Sequence, residues 1–209
     1  MLHTETVAEP TLDLLNCLLA TPELANFSLV GGTNLSLRLG HRISVDLDLF
    51  TPQPFNLTDV QNAIRRQFPS ALELTARKQT LLFVIDDVKV DILLHEYPYL
   101  QPIDVVENIR LVSLPDVIAM KLGAVAGRGA KKDFCVIDRL LQQYRLADMM
   151  GFYTQKYPQS DPGQVVRSLV YFDDAEEQEN PNDLQQTTWP IVKQGITTAV
   201  QQYIQALTR

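Results

Sequence analysis

Asp46 and Asp48 stand one residue apart in Ile43-Ser44-Val45-Asp46-Leu47-Asp48-Leu49-Phe50, and no other pair constrains this chain as strongly. A strand has a side-chain period of two. A strand over 43–50 would therefore carry both carboxylates on one face, with Val45, Leu47 and Leu49 on the other. Neighbouring carboxylates repel unless positive charge sits between them. A hard divalent cation is the usual solution, and Mg²⁺ with substrate phosphates its usual setting.

The surrounding pattern suggests an α+β chain. Residues 11–20 read as a helix, 27–31 as a short buried strand, and Thr33 to Leu39 as a short helix. Pro52 and Pro54 break the chain after the aspartate strand, and Leu57 to Phe68 fits a helix. Three alternating strands are expected over 71–76, 79–86 and 88–94, with Asp86-Asp87 as a hairpin turn. Ser113-Leu114-Pro115-Asp116 starts a helix running to about Ala126, where Gly127 and Gly129 interrupt. Further helices are expected over 130–144, 146–157, 161–171 and 188–206. The expected organisation is an α/β core over 1–112, followed by a helical region over 113–209.

Composition narrows the class. The 209 residues are 45% hydrophobic, enough for one sizeable core. No apolar run is long enough for a membrane span. No basic stretch followed by an apolar run opens the chain, so a secretion signal is not expected. Cys17 and Cys135 lack metal-ligand spacing and fall in apolar helical patterns, which predicts buried free thiols and fits a reducing cytoplasm. The net charge of −7 does not advertise nucleic-acid binding. However, six of the acids crowd into 173–183, expected to be a loop, and the rest of the chain is nearly neutral. A local basic patch can still meet a phosphate.

Gly31-Gly32 lies between a strand and a helix, where exposed amides and missing side chains suit an anion. The pair is often just a turn; its weight comes from the aspartates that follow. Asp91 is the third candidate. In Val88-Lys89-Val90-Asp91-Ile92-Leu93-Leu94 it faces away from Val88, Val90 and Ile92. It is either an exposed sheet-face acid or a third carboxylate meeting Asp46 and Asp48 across neighbouring strands. In the second case it could also accept the proton of an attacking hydroxyl.

A strand, Gly-Gly, a short helix, Asp-x-Asp and a later lone strand Asp resemble the polymerase-beta type of nucleotidyltransferase fold. The fuller string Gly31-Gly32-Thr33, His41-Arg42-x-Ser44-x-Asp46-x-Asp48 resembles the AbiEii toxin branch, the type IV toxin–antitoxin nucleotidyltransferases. The likeness extends to Lys121 and to Arg128-Gly129-Ala130-Lys131-Lys132-Asp133-Phe134, spanning about residues 27–141. It implies a mixed sheet with flanking helices and a site region that includes Lys121, Lys132 and Asp133.

Spacing supports the second block. Lys121, Val125 and Arg128 share a helical face. Lys121, Arg128, Lys131 and Lys132 could form a cationic surface for triphosphate or nucleic acid. The ordinary alternatives are a solvated basic stretch, and for Asp133 a helix-dipole contact. Family members commonly carry a second acid three residues after this aspartate, where this chain has Val136. Asp138 is nearby but on another helical face. Arg42 and His41 could orient a phosphate or the carboxylates, and an anchoring role for Arg42 in the loop is as good a reading. His3 and His95 read as structural or incidental, and Trp189 and Tyr203 as helix-packing residues.

The resemblance thus implies a nucleotidyltransferase using Mg²⁺ or Mn²⁺ held by Asp46, Asp48 and Asp91. The phosphates of a nucleoside triphosphate would lie near Gly31, Gly32, Thr33, Arg42 and Arg128. It further implies an RNA acceptor, transfer RNA foremost, and a cognate antitoxin. Two alternatives stay open: a catalytically inert nucleotide- or partner-binding module on the same scaffold, and a metal-dependent phosphodiesterase using the same carboxylates.

Overall fold

The computed structural model describes residues 1–208, so Arg209, the end of the expected helical region, lies outside the described residues. The chain divides into two compact units, Met1–Ser113 and Leu114–Arg209.

The first unit is built on a seven-stranded mixed sheet. Its strands are β1 (Ser28–Val30), β2 (Leu47–Thr51), β3 (Leu72–Arg77), β4 (Thr80–Ile85), β5 (Val88–Leu94), β6 (Asp104–Val106) and β7 (Ile109–Leu111). They lie in the order β3-β4-β5-β2-β1-β7-β6. Three two-residue hairpins hold the sequence-adjacent strands antiparallel: Lys78-Gln79, Asp86-Asp87 and Glu107-Asn108. Both residues of each turn have positive φ, as the hairpin twist requires. β2 runs parallel to β5, and β1 parallel to β7. β3 forms one edge, with a register shift between Glu73 and Thr75 and with Leu72 and Leu74 exposed.

The expected helices of this unit form as α1 (Glu9–Ala20), α2 (Gly31–Leu39) and α3 (Leu57–Gln67). Asn56 caps α3, its side chain accepting from the amides of Thr58 and Asp59. Gly40 ends α2 in the left-handed region at φ 60°, its amide donating to the Ser36 carbonyl. Leu14, Leu15, Leu18 and Leu19 of α1 and Val60 and Ile64 of α3 join the inward residues of the sheet. Those are Leu47, Leu49, Leu81, Phe83, Ile85, Val90 and Ile92, in one buried cluster. Each such side chain contributes roughly 1.5–3 kcal/mol on burial. The opposite face of β2 and β5, with Asp48, Phe50, Lys89, Asp91 and Leu93, is only half-buried or exposed.

Three expectations are corrected. β2 begins at Leu47, not at residue 43, so Asp46 sits in the segment leading into the strand. No strand is expected over 104–111, yet β6 and β7 form there; three residues each are too short to display a period. Cys17 is exposed and Cys135 half-buried. The buried stripe of α1 runs through positions 14, 15, 18 and 19, which turns Cys17 outward.

The second unit is helical: α4 (Leu114–Arg128), α5 (Lys131–Leu141), α6 (Leu146–Lys156), α7 (Pro162–Ser168), α8 (Asp173–Glu176) and α9 (Trp189–Leu207). α4 runs through Gly127, and the chain turns at Gly129, whose φ is +55°. α4 packs on α6 and α5 on α9. Phe134 of α5 meets Phe172 and Trp189 with ring centroids 5.2 and 5.9 Å away. The acidic segment, expected as a loop, begins with the helical turn α8. Glu176 there accepts from Trp189 Nε1 at 3.0 Å and Lys193 Nζ at 2.6 Å, tying it to α9. No helix among the described residues is long and apolar enough to cross a membrane.

A buried ion pair joins α4 to α6. Lys156 Nζ donates to Asp116 Oδ1 at 2.7 Å, and neither side chain has exposed surface. Breaking such a pair leaves a charge in low dielectric. Lys156→Met is expected to cost about 3–5 kcal/mol, and Lys156→Met with Asp116→Leu to cost much less. Urea unfolding of the two single variants and the double variant checks this; additive losses would contradict it.

Candidate active site

The β2/β5 register places two acids side by side. Asp48 is the direct partner of Asp91, with Leu47 opposite Val90 and Leu49 opposite Ile92. Neighbouring strands lie about 4.8 Å apart, and both aspartates project to the less buried face. Asp46 precedes Leu47 as Lys89 precedes Val90, which brings a lysine to the same corner. Lys89 Nζ donates to Asp91 Oδ2 at 2.9 Å. That hydrogen bond, with the negative charges of Asp91, Asp46 and Asp48, raises the Lys89 pKa against the opposing effect of burial. The other oxygen, Asp91 Oδ1, is buried and has no hydrogen-bond partner among the described residues.

Both glycines touch this corner. α2 begins at Gly31 directly after β1, so the Gly-Gly pair forms its first turn. Gly31 has φ +73°, and a Cβ there would run into the Asp48 carboxylate; a Cβ on Gly32 would run into the Arg42 guanidinium. Asp48 thus packs against the N-terminus of α2, whose dipole favours an anion. Arg42 packs over Gly32 and donates to the Ile43 carbonyl at 2.8 Å.

Thr33 is fully buried, and its hydroxyl donates to the Asp46 carbonyl and lies 2.9 Å from Ser44 Oγ. These contacts hold the segment that carries Asp46 in place without strand pairing. Sequence reasoning missed Asn34. Its side-chain amide donates to the Leu29 and Val112 carbonyls at 2.8 and 2.9 Å, and its oxygen accepts from Arg38 Nε at 3.0 Å. Asn34 thereby fixes α2 to β1 and to the residue after β7. Gly31, Thr33, Ser36 and Arg38 surround it in the same short helix, so no hydrophobic period singled it out.

The second cluster lies within the helical unit. Asp133 is fully buried and accepts from Lys121 Nζ at 3.0 Å, Arg128 Nε at 2.7 Å and Arg128 Nη2 at 3.1 Å. Burial pushes the Asp133 pKa up, but the two cations outweigh it and hold the carboxyl below its usual range. The expected four-residue cationic surface is corrected. Lys121 is mostly buried, and Lys131 is turned inward, donating to the Glu176 carbonyl at 3.1 Å and to the Gln178 carbonyl beneath the Trp189 ring. Arg128 and Lys132 remain exposed.

Val136, at the position where an acid is common, is fully buried. Asp138 takes another place, packed against Gly195 of α9. Burial first, and the charge of Asp183 second, push its pKa up to about 6.

Among the described residues, no three His, Cys, Asp or Glu side chains stand together ready to hold a metal ion. The donor chemistry nevertheless suits a hard cation. Two carboxylates are in register, a third precedes β2, one buried oxygen of Asp91 is unbonded, and an ammonium already answers their charge.

The seven-stranded mixed sheet with flanking helices is a nucleotidyltransferase-like fold. Solved structures share the fold. JHP933 from Helicobacter pylori matches with a TM-score of 0.58 at 17% identity, over 97% of this chain and 100% of that one. MenT4, a nucleotidyltransferase toxin from Mycobacterium tuberculosis H37Rv, matches with a TM-score of 0.63 at 13% identity, over 90% and 80%. The uncharacterized protein aq_aa25 of Aquifex aeolicus (strain VF5) is 32% identical over 186 residues, covering 86% of this chain and 89% of that protein. The family model "Nucleotidyl transferase AbiEii toxin, Type IV TA system" matches residues 13–188. The chain belongs to this AbiEii nucleotidyltransferase toxin family.

The Asp133 cluster has a pH signature. Its pKa is lower folded than unfolded, so its stabilising contribution is full above the unfolded value and fades as pH falls through the folded one. Asp133→Asn is expected to cost about 3 kcal/mol near neutral pH, because Lys121 and Arg128 lose their counter-charge. The cost should shrink below pH ~4. Unfolding midpoints across pH check this; a loss that does not vary with pH would contradict it.

Proposed function

We propose that the chain transfers a nucleoside monophosphate from a nucleoside triphosphate to a hydroxyl on RNA, with transfer RNA the favoured acceptor. The observation that carries this reading is the in-register Asp48–Asp91 pair with Gly31 pressed against Asp48. Asp46, Asp48 and Asp91 would hold Mg²⁺ or Mn²⁺, which when bound neutralises the phosphates and polarises the α-phosphorus. Gly31 and Gly32 offer backbone without side chains at a helix N-terminus, the surface a phosphate chain needs. Arg42 reinforces that surface with positive charge, and Thr33 holds the Asp46 backbone in place.

In the reaction, the acceptor oxygen forms a bond to the α-phosphorus. The bond from that phosphorus to the bridging oxygen breaks, and pyrophosphate leaves. Asp91 takes the hydroxyl proton. Lys121 is held on the buried Asp133, and the exposed Arg128 and Lys132 are the cations this part of the helical unit offers a phosphate-bearing substrate. Family membership supports a cognate antitoxin as the chain's biological partner.

The test incubates the full chain with Mg²⁺, RNA and α-labelled triphosphates. RNA is expected to gain label, and Asp46→Asn and Asp48→Asn are each expected to lower transfer by at least about 100-fold while keeping the thermal midpoint. RNA shortening without label gain would establish a phosphodiesterase. Neither label gain nor Mg²⁺-dependent triphosphate binding would leave an inert scaffold.

A further inference from the structure

Lys89 is the titratable group nearest the carboxylates that the proposed reaction leaves unused. Its ammonium donates to Asp91 Oδ2 at 2.9 Å, on the same sheet face as Asp48 and at the level of Asp46. The Asp91 side chain is 17% exposed and that of Lys89 48% exposed, so the pair has one buried and one solvated end. The lysine stem is long and flexible, and its charge can move several ångströms at little cost. A cation bound between these carboxylates would compete with the ammonium for Asp91.

We infer that Lys89 is a built-in counter-ion that holds the place of the metal. It lowers the affinity of the carboxylates for a bare divalent cation and releases Asp91 when the metal arrives with a triphosphate. This rests on the transferase reading of the same site. Without nucleotide, Lys89 compensates the repulsion between Asp48 and Asp91, and a free metal ion must displace it. With a metal–triphosphate complex, the displaced ammonium pairs with a phosphate oxygen, so displacement is offset by a new charge-assisted hydrogen bond. Metal and triphosphate therefore bind cooperatively, and Lys89 is the positioning residue that couples them.

The test measures Mn²⁺ binding to the full chain by electron paramagnetic resonance, with and without a non-hydrolysable triphosphate. Lys89→Met is expected to tighten Mn²⁺ binding without nucleotide by about tenfold, through loss of a competing charge. It should also weaken triphosphate binding at saturating Mn²⁺ by a similar factor. Lys89→Arg should keep the wild-type pattern, and Lys78→Met, at an exposed hairpin lysine of the same sheet, should change neither affinity. Lys89→Gln serves if the methionine variant does not fold. Unchanged or weaker nucleotide-free Mn²⁺ binding in folded Lys89→Met or Lys89→Gln, while the wild type binds the metal–triphosphate complex through Asp48, would overturn the role of Lys89 alone. Absence of Mn²⁺–triphosphate binding in the wild type would overturn the transferase reading and this inference together.

Discussion

Parallel pairing of β2 with β5 sets Asp48 opposite Asp91, and the repulsion between these acids organises much of what surrounds them. The two carboxylates stand about one strand spacing apart on the same sheet face. Each has a local answer: the positive end of α2 at Gly31 for Asp48, and the Lys89 ammonium for Asp91. The answers leave Asp91 Oδ1 buried and unbonded. Such an atom is costly in a structure with no use for it. It lies beside a glycine-built helix start, where the proposed reaction would use it.

The helical unit follows a different electrostatic rule. Its buried acids are matched in place: Asp116 by Lys156, and Asp133 by Lys121 and Arg128. These pairs fix helices against one another and leave exposed cations at Arg128 and Lys132. Asp138 shows the cost of an acid without a cation. Burial and a nearby acid hold its proton on to about pH 6, so its ionisation opposes folding as pH rises through that value.

Much of the first unit was legible because its signals are local. The alternation in β4 and β5 and the Asp86-Asp87 hairpin are such signals, whereas grouping Gly31, Asp46, Asp48 and Asp91 rests on the motif pattern and the family it resembles. What escaped depends on partners far along the chain. Asp46 was assigned to a strand, but the Thr33 and Ser44 contacts that hold it are visible only when α2 folds back. Lys131 read as part of a cationic surface, yet its partners are carbonyls near position 177, and nothing in its own helix reveals them. β6 and β7 escaped for a geometric reason. Glu107-Asn108 is a tight hairpin with no glycine, and its arms are only three residues long.

The register shift in β3 has a consequence for life in a crowded cell. As an edge strand, β3 presents unpaired amides and carbonyls, and exposed Leu72 and Leu74 would make a flat edge adhesive to other chains. The register shift between Glu73 and Thr75 breaks the regularity of that row. In the folded chain, that break works against edge-to-edge pairing of β3 with a second copy.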